Sequence, residues 1–141
     1  MKRIAILNGP NLNRLGTRLP AIYGSKSMAQ ILLDIQRKYP DLHILYHQSN
    51  HEGDLIDWLQ ELQADGFVLN AGGYSHTSVA LRDAIEDCEK PVVEVHISDI
   101  RKRETFRHQS LLTDVCAHSI IGKGTDGYTM AVDWLIHETT D

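Results

Sequence analysis

The sequence predicts an α/β fold in which a five-stranded parallel sheet is covered by helices on both faces. Two observations predict it: five short β-branched or apolar runs, and four stretches of helical periodicity that alternate with or follow them. The runs are Arg3 to Asn8, Leu42 to His47, Gly66 to Asn70, Pro91 to Ile97 and Val115 to Ile121. Apolar residues recur at i, i+3, i+4 and i+7 in all four other segments. They are Met28, Ile31, Leu32 and Ile35; Leu55, Trp58, Leu59 and Leu62; Leu81, Ala84, Ile85 and Cys88; and Tyr128, Ala131, Val132 and Leu135. Ser27 stands at capping-box spacing from Gln30, and Pro40 follows the end of the helix that Ser27 opens.

This alternation predicts a flavodoxin-like three-layer sandwich with strand order 2-1-3-4-5 and right-handed crossovers. The length of 141 residues is that of one domain, and residues 1–141 are expected to form it without linker or repeat. Ligands in such folds bind beyond the carboxyl ends of the strands, which here points to loops 9–25, 47–53, 71–77 and 98–112. The first and last are long for a fold whose loops usually run to roughly 2 to 6 residues. Both carry arginines: Arg14 and Arg18 in one, Arg101, Arg103 and Arg107 with Lys102 in the other. Unusual length coincides with unusual charge, and that is the first pointer to a site.

A formal net charge of −5 argues against nucleic acid or an anionic membrane as partner, and the local basic stretches suit a small anionic ligand instead. Cys88 and Cys116 form no Cys-x-x-Cys, so buried free thiols are expected rather than a disulfide framework. Met1-Lys2-Arg3 runs directly into an apolar strand with no signal-peptide stretch, and no segment approaches membrane-spanning length, so a cytoplasmic protein is expected.

Four motifs carry chemistry. Asn8-Gly9-Pro10-Asn11-Leu12 reads as a tight turn, or as a turn whose Asn11, at the end of the first strand, offers its amide to a polar ligand or holds the lid in place. Arg18 and Tyr23 follow in the same loop. Bringing a phenol from about 10 to neutrality requires about 4 kcal/mol of differential stabilisation of the phenolate, much of which one desolvated arginine supplies. Tyr23 is therefore a packing anchor or a base, with Arg18 the candidate cation and the loop a lid. In Asn70-Ala71-Gly72-Gly73-Tyr74-Ser75-His76, the glycines allow close backbone approach ahead of a helix N-terminus, so Asn70 and His76 flank an anion-accepting backbone. No second histidine stands at ligand spacing, and no metal is expected. On the fourth strand, Val92, Glu94 and His96 share one face by the period of two. The strand is either an edge with Glu94 and His96 in solvent, or a buried strand on which Glu94 has to be paired and orients the histidine, which makes His96 the best proton donor in the chain. Gly122-Lys123-Gly124-Thr125-Asp126-Gly127 matches the dinucleotide glycine pattern but lacks its βαβ context and is expected to be a tight turn.

Taken together, Asn-Gly-Pro-Asn-Leu, Arg-x-Pro-x-x-Tyr-Gly, Leu-Asn-Ala-Gly-Gly-Tyr-Ser-His-Thr-Ser, Glu-Val-His-Ile-Ser, Arg-Glu-x-Phe-Arg-His-x-Ser and the closing Gly-x-Gly-x-x-Gly-Tyr span almost the whole chain. In that order and spacing the set resembles the type II 3-dehydroquinate dehydratases, hydro-lyases that use no cofactor. The resemblance implies an anti elimination of water from 3-dehydroquinate, giving 3-dehydroshikimate through an enolate. It implies Tyr23 as the phenolate base and His96 as the acid, with Glu94 orienting His96, Arg18 stabilising the transition state and Asn11 holding a water at the enolate oxygen. It further implies that Asn70, His76, Ser98 and the backbone of Ile97 meet the substrate carboxylate and hydroxyls, and that Arg107 makes a lid-side hydroxyl contact. Asp83 is implied to reach a neighbouring subunit's site, within a homododecamer built from trimers. Leu19 and Arg14 depart from the family's usual Glu and apolar residue in the lid, and Asp99 and Arg101 from its frequent Asn and His.

Two other classes fit the same crevice. A non-catalytic flavodoxin-like module for small anions would normally show a phosphate loop or an acidic phosphoacceptor cluster, and neither is present. A small α/β aldose isomerase needs a nucleophilic cysteine or paired carboxylates, whereas Cys88 and Cys116 occupy core-like positions.

Overall fold

Strands Arg3–Asn8 (β1), His43–Gln48 (β2), Gly66–Asn70 (β3), Val92–His96 (β4) and His118–Ile121 (β5) pair in parallel in the order β2-β1-β3-β4-β5. This computed structural model describes residues 1–17 and 19–139, the Thr139 side chain excepted. Helices Pro20–Tyr23 (α1), Met28–Lys38 (α2), Glu52–Glu61 (α3), Val79–Asp87 (α4) and Asp126–Thr139 (α5) lie between and after the strands.

The strand period of two divides the apolar residues between two cores. Ile4, Ile6, Val68, Val93 and Val95 pack on Ile31 and Ile35 of α2 and on Ala131, Val132 and Leu135 of α5. Ala5, Leu7, Phe67, Leu69 and Val92 pack on Leu55 and Leu59 of α3 and on Leu81, Ala84 and Ile85 of α4. Both faces of the sheet are therefore covered, the predicted three-layer sandwich. The predicted capping box is present, with Gln30 N–H donating to Ser27 Oγ at 3.3 Å and Ser27 N–H to Gln30 Oε1 at 2.8 Å.

The fifth strand begins at His118 rather than at Val115, because Thr113–Val115 forms a 3-10 turn. The second strand is shifted by one residue, and the fourth is trimmed to Val92–His96. Leu62 and Cys88 close their helices as C-caps instead of lying within them. Gly122 and Gly124 adopt positive φ, and their N–H groups donate to His96 and Ile97 carbonyls at 3.0 Å, so this segment is the expected tight turn.

At the carboxyl end of the sheet, Asn8 is the register partner of both Gln48 and Asn70. Gly9 N–H donates to the Asn70 carbonyl at 2.7 Å, and a Cβ on Gly9 would stand 2.6 Å from the Ala71 carbonyl oxygen. The loops after β1 and β3 thus touch backbone to backbone, which only glycine permits. Gly9→Ala is expected to lower the chemical-denaturation midpoint, with a loss of about 2 kcal/mol or more, because backbone must move to admit the methyl. An unchanged midpoint would show that the two loops are not clamped.

Candidate active site

Glu94 and His96 project from the same face of β4, as their spacing requires, and His96 Nε2 donates to Glu94 Oε2 at 2.6 Å. Glu94 is 1% exposed, so its charge needs further compensation. Ser110 Oγ donates to the same oxygen, while Thr113 Oγ1 and Ser119 Oγ each donate to Oε1 at 2.7 Å. Burial alone would raise this carboxyl. The hydrogen bond and charge of His96, joined by the Ser110 and Thr113 hydroxyls, override burial and hold it at about 2. Because Glu94 engages Nε2, the ring nitrogen left for a ligand is Nδ1.

His96 lines a pocket of about 150 Å3 with Asn11, Tyr23, Asn70, Gly72, Gly73, His76, Ile97, Ser98, Arg103 and Arg107. Of the residues anticipated from sequence, the structure brings Asn11, Tyr23, Asn70, His76, His96, Ile97, Ser98 and Arg107 around one volume, with Glu94 beneath. His76 Nδ1 lies 2.9 Å from the Gln109 carbonyl, and its ring centroid stands 6.1 Å from that of His96. Arg107 pairs with Glu104 at 3.2 Å. Asp83 is exposed on α4, away from this pocket. The anticipated Arg18 lies outside the described residues.

Tyr23 ends the one-turn helix α1 inside the long first loop, and Arg103 meets it there. Arg103 Nη1 donates to the Tyr23 hydroxyl at 3.3 Å and to Ser98 Oγ at 3.2 Å, and its guanidinium lies 5.7 Å from the centre of the Tyr23 ring. Sequence reasoning counted Arg103 in a basic stretch without giving it a place in the site. Ser110, Thr113 and Ser119 were also missed. Ser110 stands in the Arg-His-x-Ser motif, while Ser119 becomes legible once β5 is in register, opposite Glu94. The end of α4 nearest the pocket is closed by Ser78, whose Oγ accepts from Leu81 N–H at 2.9 Å. The glycines of the intervening 3-10 turn, rather than the helix terminus itself, line the pocket.

The cysteines are free and half-buried, and burial pushes the Cys116 thiol up. A wider cavity of about 760 Å3 opens at the opposite end of the sheet, between Lys2, Gln63, Asp87 and Lys90. It contains neither histidine nor tyrosine.

The fold is that of a flavodoxin-like α/β protein, and its smaller pocket holds a phenol and a carboxylate-backed imidazole. A family profile described as Dehydroquinase class II matches residues 2–136, and the chain belongs to that family. A 3-dehydroquinate dehydratase of Bacillus pumilus (strain SAFR-032) is 49% identical over 142 residues, covering 98% of this chain and 97% of the relative. One from Exiguobacterium sp. (strain ATCC BAA-1283 / AT1b) is 51% identical over 136 residues, with 95% and 94% covered. The crystal structure of type II dehydroquinase from Butyrivibrio crossotus DSM 2876 has a TM-score of 0.90 at 42% identity, covering 95% of this chain and 97% of that one. The binding-module alternative finds no support in these relatives.

The depressed carboxyl has a pH consequence. A group whose folded pKa lies below its ordinary 4.5 stabilises the native state above that value, and the stabilisation is lost as pH falls toward about 2. It amounts to on the order of 3 kcal/mol. Urea midpoints of the wild type are expected to fall steeply across this acid window, and those of Glu94→Gln to start lower and fall less. Parallel acid limbs for the two proteins would contradict the assignment.

Proposed function

We propose that the chain dehydrates 3-dehydroquinate to 3-dehydroshikimate by anti elimination, in a single catalytic domain that spans the chain. The observation that carries this reading is one small pocket holding both the Tyr23 hydroxyl, touched by a guanidinium, and a His96 imidazole backed by a carboxylate. As phenolate, Tyr23 takes a proton from C2, beside the C3 ketone. The C2–H electron pair becomes the enolate, which reforms the ketone as the C1–O bond breaks. His96 Nδ1 delivers a proton to the departing hydroxyl, which leaves as water.

Arg103 sets its charge against the Tyr23 oxygen, and Arg18, from the loop that carries Tyr23, stabilises the transition state. Asn11 holds a water at the enolate oxygen. Asn70, His76, Ser98 and the Ile97 backbone bind the carboxylate and ring hydroxyls, and Arg107 adds a hydroxyl contact from the lid side. Glu94 keeps the Nε2 proton in place and stabilises the imidazolium, the orienting task that neighbouring carboxylates perform for acid–base histidines. The same step serves a shikimate-pathway enzyme or quinate breakdown.

Among the described residues no helix is long and apolar enough to cross a membrane, and we place the protein in the cytoplasm. Exposed Asp83 suits a contact with a neighbouring subunit, and the assembly proposed is a homododecamer of trimers.

Mixing the protein with 3-dehydroquinate is expected to raise the enone absorbance of the conjugated product; a flat trace sinks the reading. Tyr23→Phe should lower kcat by about 100-fold or more while KM stays near its wild-type value, as expected of a group acting in the transition state. Full turnover in that variant would remove the phenol from the mechanism. Light scattering of Asp83→Ala should show smaller particles than the wild type, together with a raised KM. An active wild-type monomer would contradict the shared site.

A further inference from the structure

Tyr128 belongs to the closing Gly-Tyr motif, and the proposed mechanism leaves it unused. It is fully buried on α5, yet its hydroxyl lies beneath the pocket between two asparagines at the ends of neighbouring strands. It donates to Asn8 Oδ1 at 2.7 Å and accepts from Asn70 Nδ2 at 3.0 Å. Asn70 Oδ1 in turn accepts from Gly72 N–H at 3.2 Å, and Asn8 Nδ2 lies 3.3 Å from both the Tyr46 hydroxyl and Met28 Sδ. Burial raises the Tyr128 phenol, so it remains a hydroxyl with one proton to give.

The directions of these bonds are mutually determined. Asn8 turns its nitrogen toward Met28 Sδ, which can only accept, leaving its oxygen to face Tyr128. The single proton of Tyr128 goes to that oxygen, so toward Asn70 the phenol can only accept. Gly72 N–H can only donate. Both neighbours therefore demand the same orientation of the Asn70 amide, with NH2 toward the phenol and oxygen toward the turn. An asparagine amide otherwise has two nearly isosteric orientations that present opposite chemistry to a ligand.

We infer that Tyr128 is a positioning residue: together with Gly72 N–H it fixes which end of the Asn70 amide meets the substrate's carboxylate or hydroxyl oxygens, and through Asn70 it seats the Gly72–His76 turn. The inference rests on Asn70 being a substrate contact, as proposed above. The network as bonded does not include Tyr23 or His96, so binding should suffer while the chemical step does not.

Tyr128→Phe is expected to raise KM roughly tenfold with kcat within about threefold and an unmoved pH profile, the size of one lost hydrogen-bonded contact. In an Asn70→Ala background the same change should leave KM where Asn70→Ala alone puts it. Asn8→Ala, which frees the phenol's proton to turn toward Asn70, should reproduce the KM-selective loss even if Tyr128→Phe folds poorly. An unchanged KM in the single variants, or equal KM effects of Tyr128→Phe with and without Asn70, overturns the inference. A crystal structure of Asn8→Ala or Tyr128→Phe gives a readout independent of turnover. The inference requires the Asn70 Oδ1 to Gly72 N contact to be lost, and its retention at its present length overturns it. A wild-type protein without dehydratase activity would fail the proposed function, and the crystallographic readout would still decide the position of Asn70.

Discussion

An ionised carboxylate inside a parallel sheet persists only where donors surround it, and Glu94 recruits its donors from three directions. His96 comes from its own strand, Ser119 from β5, and Ser110 with Thr113 from the long segment between β4 and β5. Pinning that segment at its far end dictates its path over the pocket. Arg103 and Arg107 are thereby carried above the strand ends, the Gln109 carbonyl reaches His76, and Leu111 N–H meets the Ser75 carbonyl at 2.7 Å. One buried charge both prepares the histidine and routes the loop that roofs it.

The first loop is held by different means. Asn11 and Leu19 adopt left-handed backbone, with φ of 69° and 38°. Such conformations in non-glycine residues persist where surrounding contacts over-determine them. Around Asn11 the Asn50 side chain accepts its N–H at 3.0 Å, which ties the loop after β1 to the loop after β2. Tyr23 packs against the core on one side and meets Arg103 on the other. The first and fourth loops are therefore joined through a guanidinium that both touches the phenol and bonds Ser98.

How much of this was legible follows from periodicity and its limits. The strands and four main helices are continuous apolar patterns, and their alternation admits few topologies, so architecture and strand order could be read directly. Glu94 and His96 were legible because a period of two puts them on one face, and the pairing was required by the cost of burying the carboxylate. Ser110 and Thr113 lie in irregular chain, where no period relates position to direction. Arg103 looked like any other charge in a basic stretch until the fold laid it on Tyr23. Val115 misled for a related reason: its β-branched side chain suits a strand, but Thr113, two residues before it, is drawn to Glu94 and the chain turns first. Tyr128 was read as an apolar helix position, and its burial agrees with that, but a hydroxyl at the sheet's carboxyl edge has polar consequences that helical periodicity does not display.

Base and acid are proposed to act on one small ring from different sides of the pocket of about 150 Å3 at the carboxyl edge of the sheet. A crystal structure with 3-dehydroshikimate bound tests it most directly. The ring is expected in this pocket, with C2 nearest the Tyr23 hydroxyl, C1 nearest His96 Nδ1 and the carboxylate toward Asn70. Product seated instead in the wider cavity beside Lys2 and Lys90, or lying with C1 and C2 both remote from Tyr23 and His96, would contradict it.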